Sequence, residues 1–293
     1  MAHRKKMGIR DASPARKRKH KKSKKRTMVG PETDIKRFRV VVIESLPDGE
    51  IHTGTKLYED DLILISNRND SFEVSFYSVA TIEEFENAIK NIIRSLNGDE
   101  LIALHIEAHG GEEKGIRLSS GEYLGWKEFM DLCRTVNVRI GGLLIVTLAM
   151  CYSLPILGSI DPTKRTPFKA VLLTRRDVTV DEIERGYAAF YSTYRNPMDF
   201  FKAVEAMRVE LKDLTDSPFG YMVADSIFDM MTDPDRDPEG LKHIINDNYC
   251  RLKAINPEYT RERTESEIRG FLNELAKSGK DYFTFRDVVK RRG

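Results

Sequence analysis

Cysteine is scarce in this 293-residue chain, which carries only Cys133, Cys151 and Cys250. An odd, widely spaced set offers neither a disulfide framework nor the ligand spacing of a zinc site. Long hydrophobic runs are missing as well. No apolar stretch approaches the roughly 18 residues that cross a bilayer, and the basic N-terminus lacks the apolar core of a secretory signal. Also absent are a phosphate-loop glycine pattern, a dinucleotide fingerprint and an internal repeat. These absences predict a reduced, cytoplasmic protein with no membrane span, no metal and no cofactor.

What is present is an uneven distribution of charge. The net charge is +2, yet residues 1–30 hold thirteen lysines and arginines against Asp11 alone, which leaves the rest of the chain at −10. Such a block cannot collapse around apolar side chains and reads as a disordered basic tail. Its charge suits sequence-independent contact with a polyanion or nucleic acid, or with the acidic body in cis. Without interleaved aromatics it has no platform for stacking bases, and a solvated arm is the plain alternative.

The body alternates strand-like and helix-like segments. Phe38–Ile43, Leu62–Ile65 and Phe72–Val79 read as strands. Thr81 with Glu84 forms a capping box for a helix with Ile82, Phe85, Ile89, Ile92 and Leu96 on one face, which Gly98 can end. A second box, Thr179 with Glu182, opens a helix carrying Ile183, Tyr187, Phe190, Tyr191 and Tyr194. Another helix starts near Asn196-Pro197 and buries Phe200, Val204 and Met207. From about residue 217 the pattern is mainly helical, including Thr264 with Glu267 ahead of Ile268 and Phe271.

Two apolar runs between these segments end in reactive side chains. One leads from Leu101 to His109-Gly110-Gly111, the other from Leu143 to Cys151. In an open parallel sheet, functional groups gather at the carboxyl edge of the strands, which is where both side chains would lie. A thiol attacks as thiolate, and a nearby imidazole can take its proton. A glycine after the histidine leaves its backbone N–H free to face a developing oxyanion. Two buried strands that merely end in His and Cys remain the structural alternative.

A strand ending in His-Gly, about forty residues with an amphipathic helix, and then a strand ending in Cys resembles the caspase-like cysteine peptidases, most closely the CHAT domains. The resemblance covers roughly residues 38–212. It implies an α/β fold, a caspase-like mostly parallel sheet flanked by helices, here with a C-terminal helical extension. The chain then divides into a tail (1–30), a peptidase domain (31–216) and an extension (217–293). The resemblance further implies a cysteine endopeptidase acting on a protein substrate under a regulatory partner or activation signal. Cys151 would be the nucleophile and His109 the proton carrier, with the backbone N–H groups of Gly110 and Cys151 as the oxyanion hole. A catalytically inactive adaptor, binding partners or polyanions through its surface and tail, is the alternative. Residues 112–124 resemble the family's hairpin-like insert; Lys164-Arg165 lies where some relatives are processed, but its turn-formers and charges read first as an ordinary solvated loop. Some relatives that cleave after Arg or Lys carry an acidic residue just before the nucleophile; Ala149 and Met150 stand here, so that position does not support specificity for a basic residue.

Three further features take structural readings. Glu107 shares a strand face with His109 and could orient it, but Glu107 and His105 are expected to have structural partners, as buried polar groups generally do. Cys133 belongs to a helix core. Asp233–Gly240 alternates acids like a calcium loop, but Pro238 stands where that loop needs glycine, so a capped turn is expected.

Overall fold

The computed structural model describes residues 37–96, 100–111, 113–195, 199–212 and 217–288. The basic tail, the helix-ending Gly98 and the Asn196-Pro197 helix start lie outside these residues. The strands are β1 (Arg37–Ser45), β2 (Phe72–Ser78), β3 (Glu100–Gly111), β4 (Gly115–Arg117), β5 (Tyr123–Leu124), β6 (Ile145–Ala149), β7 (Ala170–Thr174) and β8 (Phe219–Val223). The main sheet runs β2-β1-β3-β6-β7-β8. All its pairings are parallel except β7 with β8. β4 and β5 form an antiparallel hairpin on the end of β3, as expected of an insert after the histidine.

The helices are α1 (Thr53–Lys56), α2 (Ile63–Ser66), α3 (Ile82–Arg94), α4 (Trp126–Arg139), α5 (Val180–Thr193), α6 (Phe200–Glu210), α7 (Ala224–Thr232), α8 (Pro238–Ile255), α9 (Arg261–Ser278) and α10 (Lys280–Phe283). Both capping boxes form: Thr81 and Glu84 open α3, and Thr179 and Glu182 open α5. Helices cover both faces of the sheet, so its central strands are buried on both sides. Even-numbered residues of β3 (Ile102, Leu104, Ile106) join the core beneath α3, α4 and α7. Odd-numbered Leu101 and Ala103 pack with Tyr187, Phe190 and Tyr191 of α5. This is the helix-flanked, mostly parallel α/β architecture with C-terminal helices that the sequence implies, and it is consistent with a caspase-like sheet.

Three local expectations are corrected. Leu62–Ile65 is helical: a π-helical turn (Leu57–Leu62) joins α1 to α2. Leu57, Leu62 and Ile65 are buried while Leu64 is 49% exposed, which is a helical face and not strand alternation. The stretch from 217 opens with a strand, β8, which closes the sheet before the helices begin. Helix α9 starts a turn earlier than the Thr264–Glu267 pair suggests, capped by the Thr260 side chain on the Arg263 N–H.

The last helices are packed on the body. Ile227, Phe228 and Phe283 are fully buried in the core beneath α3 and α4. Arg165, in the loop after Cys151, donates to both carboxylate oxygens of Asp287 and to the Tyr282 carbonyl, and it stacks on the Tyr282 and Phe285 rings. Asp237 caps α8 through the Gly240 N–H, so the Asp233–Gly240 segment is the expected turn.

Candidate functional site

Register places the site. Ser45 of β1 pairs with Ala108 of β3, and Glu107 of β3 pairs with Ala149 of β6. The chain therefore leaves three adjacent strands at one carboxyl edge. Residues 46–52, His109–Gly111 and Cys151–Ser153 meet there.

His109 is about half exposed, and its Nε2 lies 2.8 Å from Glu50 Oε2. Cys151 is half-buried. Its Sγ accepts from the Val178 N–H at 3.4 Å and faces the Val178 carbonyl at 3.9 Å. The two side chains wall the same cleft but are bonded to Glu50 and Val178, not to each other. Burial raises the Cys151 thiol above its ordinary range; the Asp177 and Glu182 carboxylates add to this, and the Val178 N–H opposes it. That direction is opposite to the lowering expected of a preformed thiolate–imidazolium pair.

Gly110 packs onto the Cys151 main chain so closely that a Cβ would stand 1.7 Å from the Cys151 carbonyl oxygen. Tyr152, the next residue along, adopts a left-handed φ of 49°, unusual for a residue with a Cβ. Its hydroxyl donates to Asp177 at 3.2 Å.

Cavities flank this pair. An open one of about 620 Å³ lies between His109, Cys151, Tyr152, Asp177 and the hairpin residue Tyr123. A smaller one of about 170 Å³ is lined by His109, Cys151, Glu107 and aliphatic side chains that include Ile51, Val178 and Val180. Glu107 and Thr53 also line a third, of about 320 Å³, beyond it.

Glu107 and His105 have the structural partners expected of them. His105 lies 2.9 Å from Glu107 Oε1 and 2.8 Å from Thr147 Oγ1, which meets the Tyr191 hydroxyl at 2.9 Å. The Thr53 hydroxyl donates to Glu107 Oε2 at 2.8 Å. Burial pushes the Glu107 carboxyl up, helped by the charge of Glu44, while its hydrogen bonds to His105 and Thr53 pull it down. Glu107 thus lines the same small cavity as His109, but its carboxylate oxygens are held by His105 and Thr53, and the His109 ring is bonded to Glu50 instead. Cys133 is fully buried in α4, and burial raises its thiol strongly.

Two residues at this edge escaped the sequence reading, Glu50 and Asp177. Glu50 follows the polar turn after β1. Its neighbourhood with His109 could have been found only by recognising that β1 and β3 are adjacent and end level. Among the described residues, no group of three or more His, Cys, Asp and Glu side chains could hold a metal ion, and no helix is long and apolar enough to cross a membrane. No protein-family model matches the chain, and no curated protein matches it.

Proposed function

We propose that the protein is a caspase-like cysteine endopeptidase, related in kind to the CHAT domains, that works in the cytoplasm on a protein substrate. One observation carries the reading: His109 and Cys151 leave neighbouring parallel strands at the same edge and wall one cleft, with Gly110 pressed against the Cys151 backbone. Cys151 Sγ would attack the scissile carbonyl as its proton passes to His109. The resulting oxyanion would meet the N–H groups of Gly110 and Cys151. Collapse breaks the C–N bond, the amine leaves with the proton from His109, and water hydrolyses the thioester.

Control by a partner or activating signal is part of the proposal. The raised thiol and the engagement of His109 Nε2 by Glu50 describe a resting arrangement. Swinging the imidazole from Glu50 toward Sγ would assemble the pair. The same two contacts also favour the second reading, an adaptor in which His109 and Cys151 have only structural partners.

Cleavage of a diverse peptide library by the wild type and by Cys151→Ala and His109→Ala separates the two. The peptidase reading expects cleavage in the wild type and its loss in both variants, with unchanged melting. Because nucleophile and base act as a unit, the double variant should be little worse than either single one. Equal cleavage without Cys151 would overturn the peptidase reading.

A further inference from the structure

Resting on that reading, the geometry points to Arg117 as a specificity-determining residue that receives an aspartate or glutamate on the leaving-group side of the scissile bond. Arg117 stands in register with His109 across the β3–β4 pairing, and Tyr123 of β5 stands in register with Arg117. Residues opposite each other in neighbouring strands share a face, with Cβ atoms about 4.5–5.5 Å apart. Their chain neighbours Ile116 and Leu124 turn the other way into the core, so His109, Arg117 and Tyr123 form one row along the open cavity.

The order of that row decides which part of a substrate it meets. β6, with Cys151 just past its end, flanks β3 on one side. The hairpin lies on the other: the Ser119 N–H donates to Ser45 Oγ at the end of β1, and the Ser120 N–H to the Ala80 carbonyl just past β2. The order across the edge is therefore Cys151, His109, Arg117, Tyr123. In acyl transfer the imidazole that takes the nucleophile's proton returns it to the departing amine. The amine thus leaves past His109, toward Arg117 and Tyr123. At about 3.3 Å per residue of extended chain, the first two residues after the cut fall within reach of Arg117.

The chemistry of the row suits an anion. Arg117 is exposed and has no carboxylate partner among the described residues. Lys114, on the same hairpin, stands 5.2 Å from the centre of the Tyr123 ring. That ring lies against Gly111, where a Cβ would come within 2.6 Å of it. The hairpin thus lends the cavity two cations and an aromatic wall against the one carboxylate of Glu113. Asp177, the other carboxylate of the lining, is on the Cys151 side, where it accepts from the Tyr152 hydroxyl. A guanidinium binds a carboxylate through two parallel N–H bonds, a geometry that no neutral side chain matches. A lysine or arginine of the substrate would meet Arg117 and Lys114 as like charges. An apolar side chain would leave the guanidinium unpaired.

The sites that the full chain cuts in a diverse peptide library, read by mass spectrometry, test this. Aspartate and glutamate should be enriched about threefold in the first two positions after the cut, the scale of an exposed ion pair. Arg117→Gln should remove that enrichment. Arg117→Glu should replace it with enrichment of lysine and arginine, a reversal that a merely structural role would not produce. Wild-type cleavage with no acidic preference at those positions, or a preference that survives in Arg117→Glu, overturns the assignment and leaves the peptidase reading intact. No cleavage by the wild type, or equal cleavage by Cys151→Ala, overturns both. The wild-type profile decides the matter even if the Arg117 variants fail to fold.

Discussion

Gly110 touches the Cys151 main chain at a distance that no side chain tolerates: a Cβ there would be 1.7 Å from the Cys151 carbonyl oxygen and 2.8 Å from its carbonyl carbon. The obstacle is backbone, which cannot swing aside, so Gly110→Ala must part the ends of β3 and β6. Overpacking of this kind costs about 1–3 kcal/mol. A displacement near 1 Å at the reacting groups costs on the order of a hundredfold in rate. Gly110→Ala is expected to lower the melting temperature and to lose Cys151 labelling together. Gly270→Ala, in α9 with open space around it, is the control and should stabilise by about 0.4–1 kcal/mol. Unchanged labelling in Gly110→Ala would show that the close approach has no part in the site.

Ending the chain at residue 216 removes β8 as well as the helices after it. β7 would then lose its antiparallel partner from Ala170 to Thr174 and become a bare edge. The core residues Ile227, Phe228 and Phe283 would go as well. The fragment 31–216 is expected in the insoluble fraction, or melting well below the full chain. A monodisperse fragment with the full chain's melting temperature would mean that β8 and the later helices are an independent addition.

The legible parts of this fold were those in which local and global signals agree. β3 and β6 read as near-continuous apolar runs because each is buried on both faces, and α3 and α5 announce themselves by capping boxes that form as expected. The segment from Leu57 to Ile65 was illegible because a π turn shifts its buried face, leaving a short apolar run that fits strand and helix alike. Phe219–Val223 was hidden by its brevity and by its place after a long helical stretch. At the site, His109 and Cys151 were visible because chemistry and strand ends coincide in sequence. Glu50 and Asp177 were not, because their places depend on which strands are neighbours. Glu107 was half legible: its shared face with His109 followed from a period of two, but the cavities it lines depend on α1 and α5.

Residues 1–30 carry +12, and their larger apolar side chains are few, Met1, Met7, Ile9, Met28 and Val29. Their deletion is expected to leave the melting temperature unchanged within about a degree, since they add little that a core could bury. Binding to heparin or single-stranded DNA should weaken on deletion. In the intact chain it should fall steeply with salt, because counterion release drives such binding. Binding that ignores both salt and the deletion would place any polyanion site on the body instead.

Arg165 and Asp287 tie the loop after Cys151 to the end of the chain, and the pair gives a pH signature. The Arg165 guanidinium holds the Asp287 carboxyl below its ordinary range through a two-bond contact, with one N–O distance of 2.7 Å. For a carboxyl lowered in the folded state, the stabilisation is fully present above its unfolded pKa, about 3.9, and is lost as pH falls through the lower folded value. Asp287→Asn should therefore cost about 1 kcal/mol at neutral pH, a figure kept small because both side chains are partly solvated. The difference in melting temperature from the wild type should shrink as pH drops below about 4. Arg165→Ala should cost more at neutral pH, since it also removes the stacking on Tyr282 and Phe285 and the bond to the Tyr282 carbonyl. Part of that loss should survive in acid, where the carboxylate contribution is gone. Limited proteolysis gives an independent readout: releasing the clamp should expose the loop around Lys164-Arg165 to trypsin, while the wild type resists at that bond. A wild-type protein cut there as fast as Asp287→Asn, with melting curves that stay parallel across pH, would show that the contact does not hold the loop in solution.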